Sequence, residues 1–188
     1  MKPLILALAL LGTFGHAASQ TATYAIDPSH TSVIWEALHF DTSTLRGRFD
    51  KKEGTVEFDR AGKTGKVDIT IDMASVSTGV GPLNEHLKSQ DFFDVAKHPT
   101  ARFTASKLVF GGDKVTEVQG ALTMLGKTGP VTLKANRFNC YMHPMLKREV
   151  CGGDFEATIQ RSQWGSTYGL PGIPDTVRLI VQVEAVKQ

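Results

Sequence analysis

Apolar and polar residues alternate with a period of two along most of the chain, and the alternation breaks off between Pro82 and Phe103. In SVIWEALH, Val33, Trp35, Ala37 and His39 share one face, and Ser32, Ile34, Glu36 and Leu38 the other. GTVEFD sets Val56 with Phe58. KVDITIDM is sharper, with Val67, Ile69, Ile71 and Met73 against Lys66, Asp68, Thr70 and Asp72. The period continues through ARFTASKLVF and through VTEVQGALTML, where Val118, Gly120, Leu122 and Met124 fall together. It runs on through VTLKANRF, FEATIQR and TVRLIVQVEAV, the last with Val177, Leu179, Val181 and Val183 on one side. GGDK and GKTGP read as turns, and Cys140 to Cys151 as a loop. The pattern predicts an all-β chain of roughly eight strands with one buried and one wet face. Such strands make a sandwich or a closed antiparallel barrel. Closure is favoured because long strands with one apolar face need protected edges. An eight-stranded barrel holds one elongated ligand at most.

The interruption has helical spacing. Leu83 and Leu87 lie four apart, opposite Glu85, Lys88 and Ser89, which predicts a short helical plug near residues 82–94. Phe92 and Phe93 then sit between Asp91 and Asp94, and Pro99 holds His98 extended before the next strand. The aromatic pair either seals one end of a β core or forms a lid over a ligand cavity.

Met1 to Ala18 carries one lysine, no acid, an apolar run from Leu4 to Leu11 and small residues in GHAAS. This predicts a cleaved signal peptide over residues 1–18, followed by a single exported, soluble domain over residues 19–188. The run is too short to span a bilayer, and no later stretch approaches the ~20 apolar residues a transmembrane helix needs. No cysteine adjoins the cleavage site to carry a lipid anchor.

The formal net charge is +2, and loss of Lys2 leaves 20 of the 21 basic residues against 19 acids. Acids and bases alternate without a run of either sign, which argues against a nucleic-acid partner. Cys140 and Cys151 are the only cysteines. Export places them in an oxidising compartment, and a disulfide is the expectation. A redox pair or metal site is disfavoured, because there is no CxxC and only His143 lies between them. No two histidines form an HxH or HxxxH pair, and neither a GxSxG elbow nor a phosphate loop is present. No catalytic residue, metal ligand or cofactor is assigned, and the chain is not read as an enzyme.

The motifs YAIDPSHTSVIWEALH, LRGRF, IDMASVSTG, NEHLKSQDFFDVAKHPTARF, GALTMLGKTGPVTL and RSQWG together resemble the YceI-like proteins, a lipocalin-like family of exported bacterial isoprenoid-binding proteins. The resemblance covers almost the whole mature chain in order, and NCYMHPMLKREVCGGDF is similar to the loop of the cysteine-bearing branch. Asn84, Trp35 and Trp164 depart from the commoner Asp, Phe, and Phe or Tyr of the family. The resemblance implies an eight-stranded lipocalin-like barrel holding a polyisoprenoid chain, such as a quinone tail, with the helix at one end. It also implies a periplasmic location, exchange of lipid with the membrane surface and pairing of two copies.

Strand phase supplies wall candidates independently: Val33, Trp35, Ile69, Ile71, Phe103 and Leu122, then Met124, Leu133, Phe155, Leu179 and Val181. Leu87, Phe92 and Phe93 would border the mouth, and His39, His86 and Asn84 would meet a head group. Two other classes of function compete. One is an interaction protein acting through outer loops, notably Cys140 to Cys151 and SQWGSTYGLPGIPD. The other is an isoprenoid-modifying enzyme using His30 or His39 as acid or base.

Overall fold

The computed structural model describes residues 21–188, so the signal sequence expected over residues 1–18 lies outside the described residues. The strands are β1 (Ala22–Ile26), β2 (Ser32–His39), β3 (Ser43–Phe49), β4 (Lys52–Asp59), β5 (Thr64–Asp72) and the two-residue β6 (Val76–Ser77). Helix α1 (Gly81–Lys88) follows, and then β7 (Thr100–Gly111), β8 (Lys114–Met124), β9 (Lys127–Met142), β10 (Glu149–Gln160) and β11 (Thr176–Lys187).

These segments form one antiparallel sheet in which β1 and β11 pair, so the sheet closes on itself. Three strands of the barrel are bent and counted in halves. β1 and β2 lie end to end along β11, with Ile26 opposite Ala185 and Val33 opposite Val181. β3 and β4 are joined at Asp50 and Lys51, and β5 and β6 by a single 3-10 turn at Met73–Ser75. Joined in this way, the strands make the closed eight-stranded barrel, each neighbouring the next in sequence. The bend between β1 and β2 is held from both sides. The Asp27 amide donates to the Glu184 carbonyl, while the Asp27 carboxylate accepts from the amide and hydroxyl of Ser29. Register shifts at Ala105/Lys107 and Val109/Phe110 of β7, and at Asp154/Phe155 of β10, supply further curvature.

Two expected loops are strand. Cys140 and Cys151 face each other directly across β9 and β10, joined by a disulfide, and the connecting turn is confined to residues 143–148. The polar, glycine-containing sequence hides this pairing because it lacks a period-two apolar face. GKTGP is likewise mostly β9. The turn is Leu125 and Gly126, both with positive φ as in a type I′ hairpin, and Pro130 sits opposite Ala121.

One end of the barrel is a floor. The rings of Tyr24, Phe110 and Phe138 surround Phe58, with centroids 6.3, 6.0 and 5.8 Å away. The Tyr24 hydroxyl donates to Glu149 Oε1 at 2.6 Å, Arg60 donates to Glu149 Oε2 at 3.0 Å, and Cys151 lies beside Arg60. At the other end lie the β2–β3 turn, α1 with the turns after it, and the segment between β10 and β11.

The disulfide closes a short loop, with cysteines 11 positions apart. Replacing both cysteines by serine should cost about 3 kcal/mol in the chain-entropy account, lowering the thermal midpoint by roughly 6–12 °C. Calorimetry of the two proteins under oxidising conditions checks this; equal midpoints would show that the crosslink adds nothing. Burial, and after it the hydrogen bond to Glu149, push the Tyr24 phenol well above its ordinary pKa. Above pH ~10 the unfolded chain therefore loses a proton that the fold retains, and stability falls as pH rises. Tyr24→Phe should be less stable than the parent near neutrality yet decline less steeply above pH ~10, a difference that urea titrations across that range would read.

Candidate functional site

The inward faces of the strands do not meet at the axis. A cavity of about 570 Å³ lies under α1, and a narrower one of about 150 Å³ lies above the floor. Val33, Ile71, Leu122 and Leu179 border both, so the two chambers lie end to end along the barrel and adjoin at a neck formed by these side chains. The upper volume is that of a small-molecule site.

The wall follows strand phase. Ile69, Phe103, Leu133, Phe155 and Val181 line the lower chamber. Trp35, His39, His86, Leu87, Phe92, Phe93 and Met124 line the upper one. Asn84 does not reach the wall. Its Oδ1 accepts from the amide and hydroxyl of Thr78 at 2.8 and 2.7 Å, bracing the start of a helix whose Val80 N-cap offers no side-chain hydrogen bond. The lower chamber's hydroxyls are engaged, Tyr24 with Glu149 and Thr31 with the Glu184 carbonyl, leaving an apolar surface.

The upper chamber is closed by aromatic contacts. The His86 ring meets Phe92 and Tyr168 edge-on at 5.0 and 5.2 Å, while its Nε2 pairs with Asp91 at 2.9 Å. Phe93 packs against Phe49 with centroids 5.6 Å apart. The helix forms here because Pro82 suits its first turn, and Leu83 and Leu87 give it an inward side.

Reading the sequence missed the opposite wall. Arg161, Ser166, Tyr168, Gly169 and Ile173 all border the upper chamber, so SQWGSTYGLPGIPD folds partly inward. The tether is Arg161, 6% exposed, whose guanidinium donates to the carbonyls of Pro174, Ser166, Tyr168 and Ile173 at 2.7–3.0 Å. Burial lowers its pKa, partly opposed by the charge of Asp175. Asp175 itself accepts from the amide and hydroxyl of Ser162 at 2.7 and 2.6 Å. Trp164, 1% exposed, stands behind the wall and donates to the Leu122 carbonyl at 2.9 Å. Its ring occupies the space over Gly129 that a side chain there would fill. A lone arginine ahead of a Gly- and Pro-rich stretch was the only signal available.

Ser29, His30 and Asp27 come together on the outer surface, but both the serine hydroxyl and the carboxylate address Nδ1 of His30. A proton relay needs them on opposite ring nitrogens, so this is a turn rather than a nucleophile and its base. His30 does not border the cavity, whereas His39 does. Cys140, Glu149 and Cys151 are the one metal-ligand-type cluster among the described residues, and both sulfurs are committed to the disulfide. No described helix is long and apolar enough to cross a membrane.

The YceI-like domain matches residues 24–185. The chain is 35% identical over 182 residues to Protein YceI of Salmonella newport, covering 95% of this chain and 93% of that protein. Among solved structures it is similar to Burkholderia cenocepacia BcnA, with a TM-score of 0.70 and 25% identity over 85% of this chain and 98% of the other. It is also similar to a polyisoprenoid binding domain from Saccharophagus degradans, with a TM-score of 0.62 over 90% of this chain and 100% of that domain. At 17% identity the latter likeness concerns the fold.

Arg161→Met should destabilise the protein by at least about 3 kcal/mol, because it strands several carbonyls at once. Hydrogen exchange should then accelerate in residues 165–173 well before global unfolding. Protection equal to the parent there would show that the loop holds itself.

Proposed function

The chain belongs to the YceI-like family, and from that premise we propose that it is an exported binding protein that holds a polyisoprenoid or similar long-chain amphipathic lipid, such as an isoprenoid quinone, in its barrel. The observation that carries the reading is the pair of adjoining apolar chambers, the lower one closed by the floor with its hydroxyls engaged and the upper one bordered by further polar side chains. The Saccharophagus degradans domain of the same fold is a polyisoprenoid binding domain, which agrees with it. The tail lies through the neck into the lower chamber, and the head group stays in the upper one.

Energetics define the task. Each buried methylene contributes about 0.8 kcal/mol relative to water, so even two isoprene units nominally reach micromolar affinity before ordering costs. Relative to a bilayer most of that gain disappears, since the tail already lies in hydrocarbon. The protein therefore acts as a carrier or reservoir that exchanges lipid with the membrane across the periplasm. Phe40 is 62% and Tyr168 46% exposed beside the mouth, and both suit brief contact with a bilayer surface.

Native mass spectrometry of the mature protein from its own periplasm, followed by organic extraction, tests the reading. A stoichiometric isoprenoid or other long-chain lipid is expected. Leu179→Trp, which fills the neck, should weaken uptake of a long-tailed isoprenoid quinone by about tenfold while sparing a short-tailed one. An empty protein that also refuses added lipid would overturn the proposal. Attention would then turn to the far hairpin, where Met142 and Met145 are 64% and 82% exposed as a surface for a protein partner.

A further inference from the structure

We propose that the indole N–H of Trp35 is the hydrogen-bond donor that fixes an acceptor oxygen of the ligand's head group in the upper chamber. The inference rests on the lipid-binding reading and adds to it the residue and the chemistry that select the head group.

Trp35 is 7% exposed and borders the upper chamber, and its Nε1 is the one buried side-chain nitrogen or oxygen without a partner among the described residues. A buried donor left unpaired is costly, and folded proteins rarely tolerate one without a reason. Trp164 supplies the internal comparison: equally enclosed, but behind the wall, it finds the Leu122 carbonyl at 2.9 Å. The indole that touches the cavity is the one that lacks an acceptor.

The barrel makes room for this indole. Gly47 lies opposite Trp35 across β2 and β3, and a Cβ there would collide with Cζ2 and lie 2.8 Å from Nε1. The nitrogen-bearing edge of the ring therefore occupies space that exists only because residue 47 has no side chain. Along β2, Val33 marks the neck and Trp35 is the next inward residue toward the mouth, followed by Ala37 and His39. A head group resting at Trp35 thus has the neck one inward residue below it, where a tail would enter.

Of the chamber's other polar groups, His39 and Ser166 also border it, and the rest are committed to the protein itself or lie at its mouth. Arg161 serves four carbonyls of its own loop, His86 pairs with Asp91, and Tyr168 is 46% exposed. An indole N–H donates and cannot accept. The matching head group therefore carries an acceptor oxygen, as a quinone ring or an amide does, and a pure isoprenoid hydrocarbon leaves the donor unsatisfied.

The test compares binding of a short-tailed isoprenoid benzoquinone and of the matched isoprenoid hydrocarbon to the parent and to Trp35→Phe. The quinone should bind the variant about tenfold more weakly, while the hydrocarbon binds both alike. On the unaltered protein, the Trp35 indole N–H resonance, told from that of Trp164 by its loss in the variant, should move downfield when quinone binds. Equal quinone affinity for both proteins, or an indole resonance unmoved in the quinone complex, would overturn the assignment. If the parent takes up neither compound, the lipid-binding reading falls, and this inference with it.

Discussion

The structure depends on one strand having two partners on the same edge. β11 pairs with β10 along one side, and along the other with β2 over its first half and β1 over its last. Without that second ladder the sheet would be open, with two unpaired rows of amides and carbonyls, and the apolar inner face would have to find another sheet. With it, the backbone closes and the inner face meets only itself. Eight strands leave an interior whose filling is decided by side-chain size. Phe58, Phe110, Phe138 and Tyr24 fill one end, whereas Val33, Ile71, Leu122 and Leu179 leave a neck with space on either side. The tapering cavity is thus a consequence of where the aromatic residues fall in the strands.

Much of this architecture was legible because a half-buried strand writes its two faces into alternate residues. β2, β5, β8 and β11 could be phased from that alternation, and the side chains assigned inward border the cavity. Leu83 and Leu87 marked the helix for the same reason at a different period. What escaped notice was held by interactions that leave no periodic trace. The strand ends around Cys140 and Cys151 are secured by a crosslink and a backbone ladder, while their side chains follow no period-two apolar pattern. The segment after Trp164 looks like a solvent loop, and one arginine turns it inward through carbonyls whose positions no residue type announces. Asn84 shows the converse: a polar residue on a lid helix suggests a ligand contact, but the amide is taken up by Thr78 six positions earlier.

The two ends of the barrel differ in how their polar groups are used. At the floor, Tyr24, Glu149 and Arg60 satisfy one another beside a covalent crosslink, so opening there would break several linked interactions together. At the mouth, α1 and the turn after it meet the Arg161 loop through rings, His86 and Phe92 against Tyr168. Edge-to-face aromatic contacts of this kind contribute about 0.5–1.5 kcal/mol each beyond area burial, whereas the floor adds a covalent crosslink to its hydrogen bonds. The weak seam therefore lies between two elements that are each well anchored, the helix by Thr78 and Asp91 and the loop by Arg161. A cavity closed in this way opens at the mouth first, by separation of two intact elements rather than by unfolding. Under the proposed lipid-binding role, that end is the one through which cargo would pass between a bilayer and the barrel with little exposure of its tail to water.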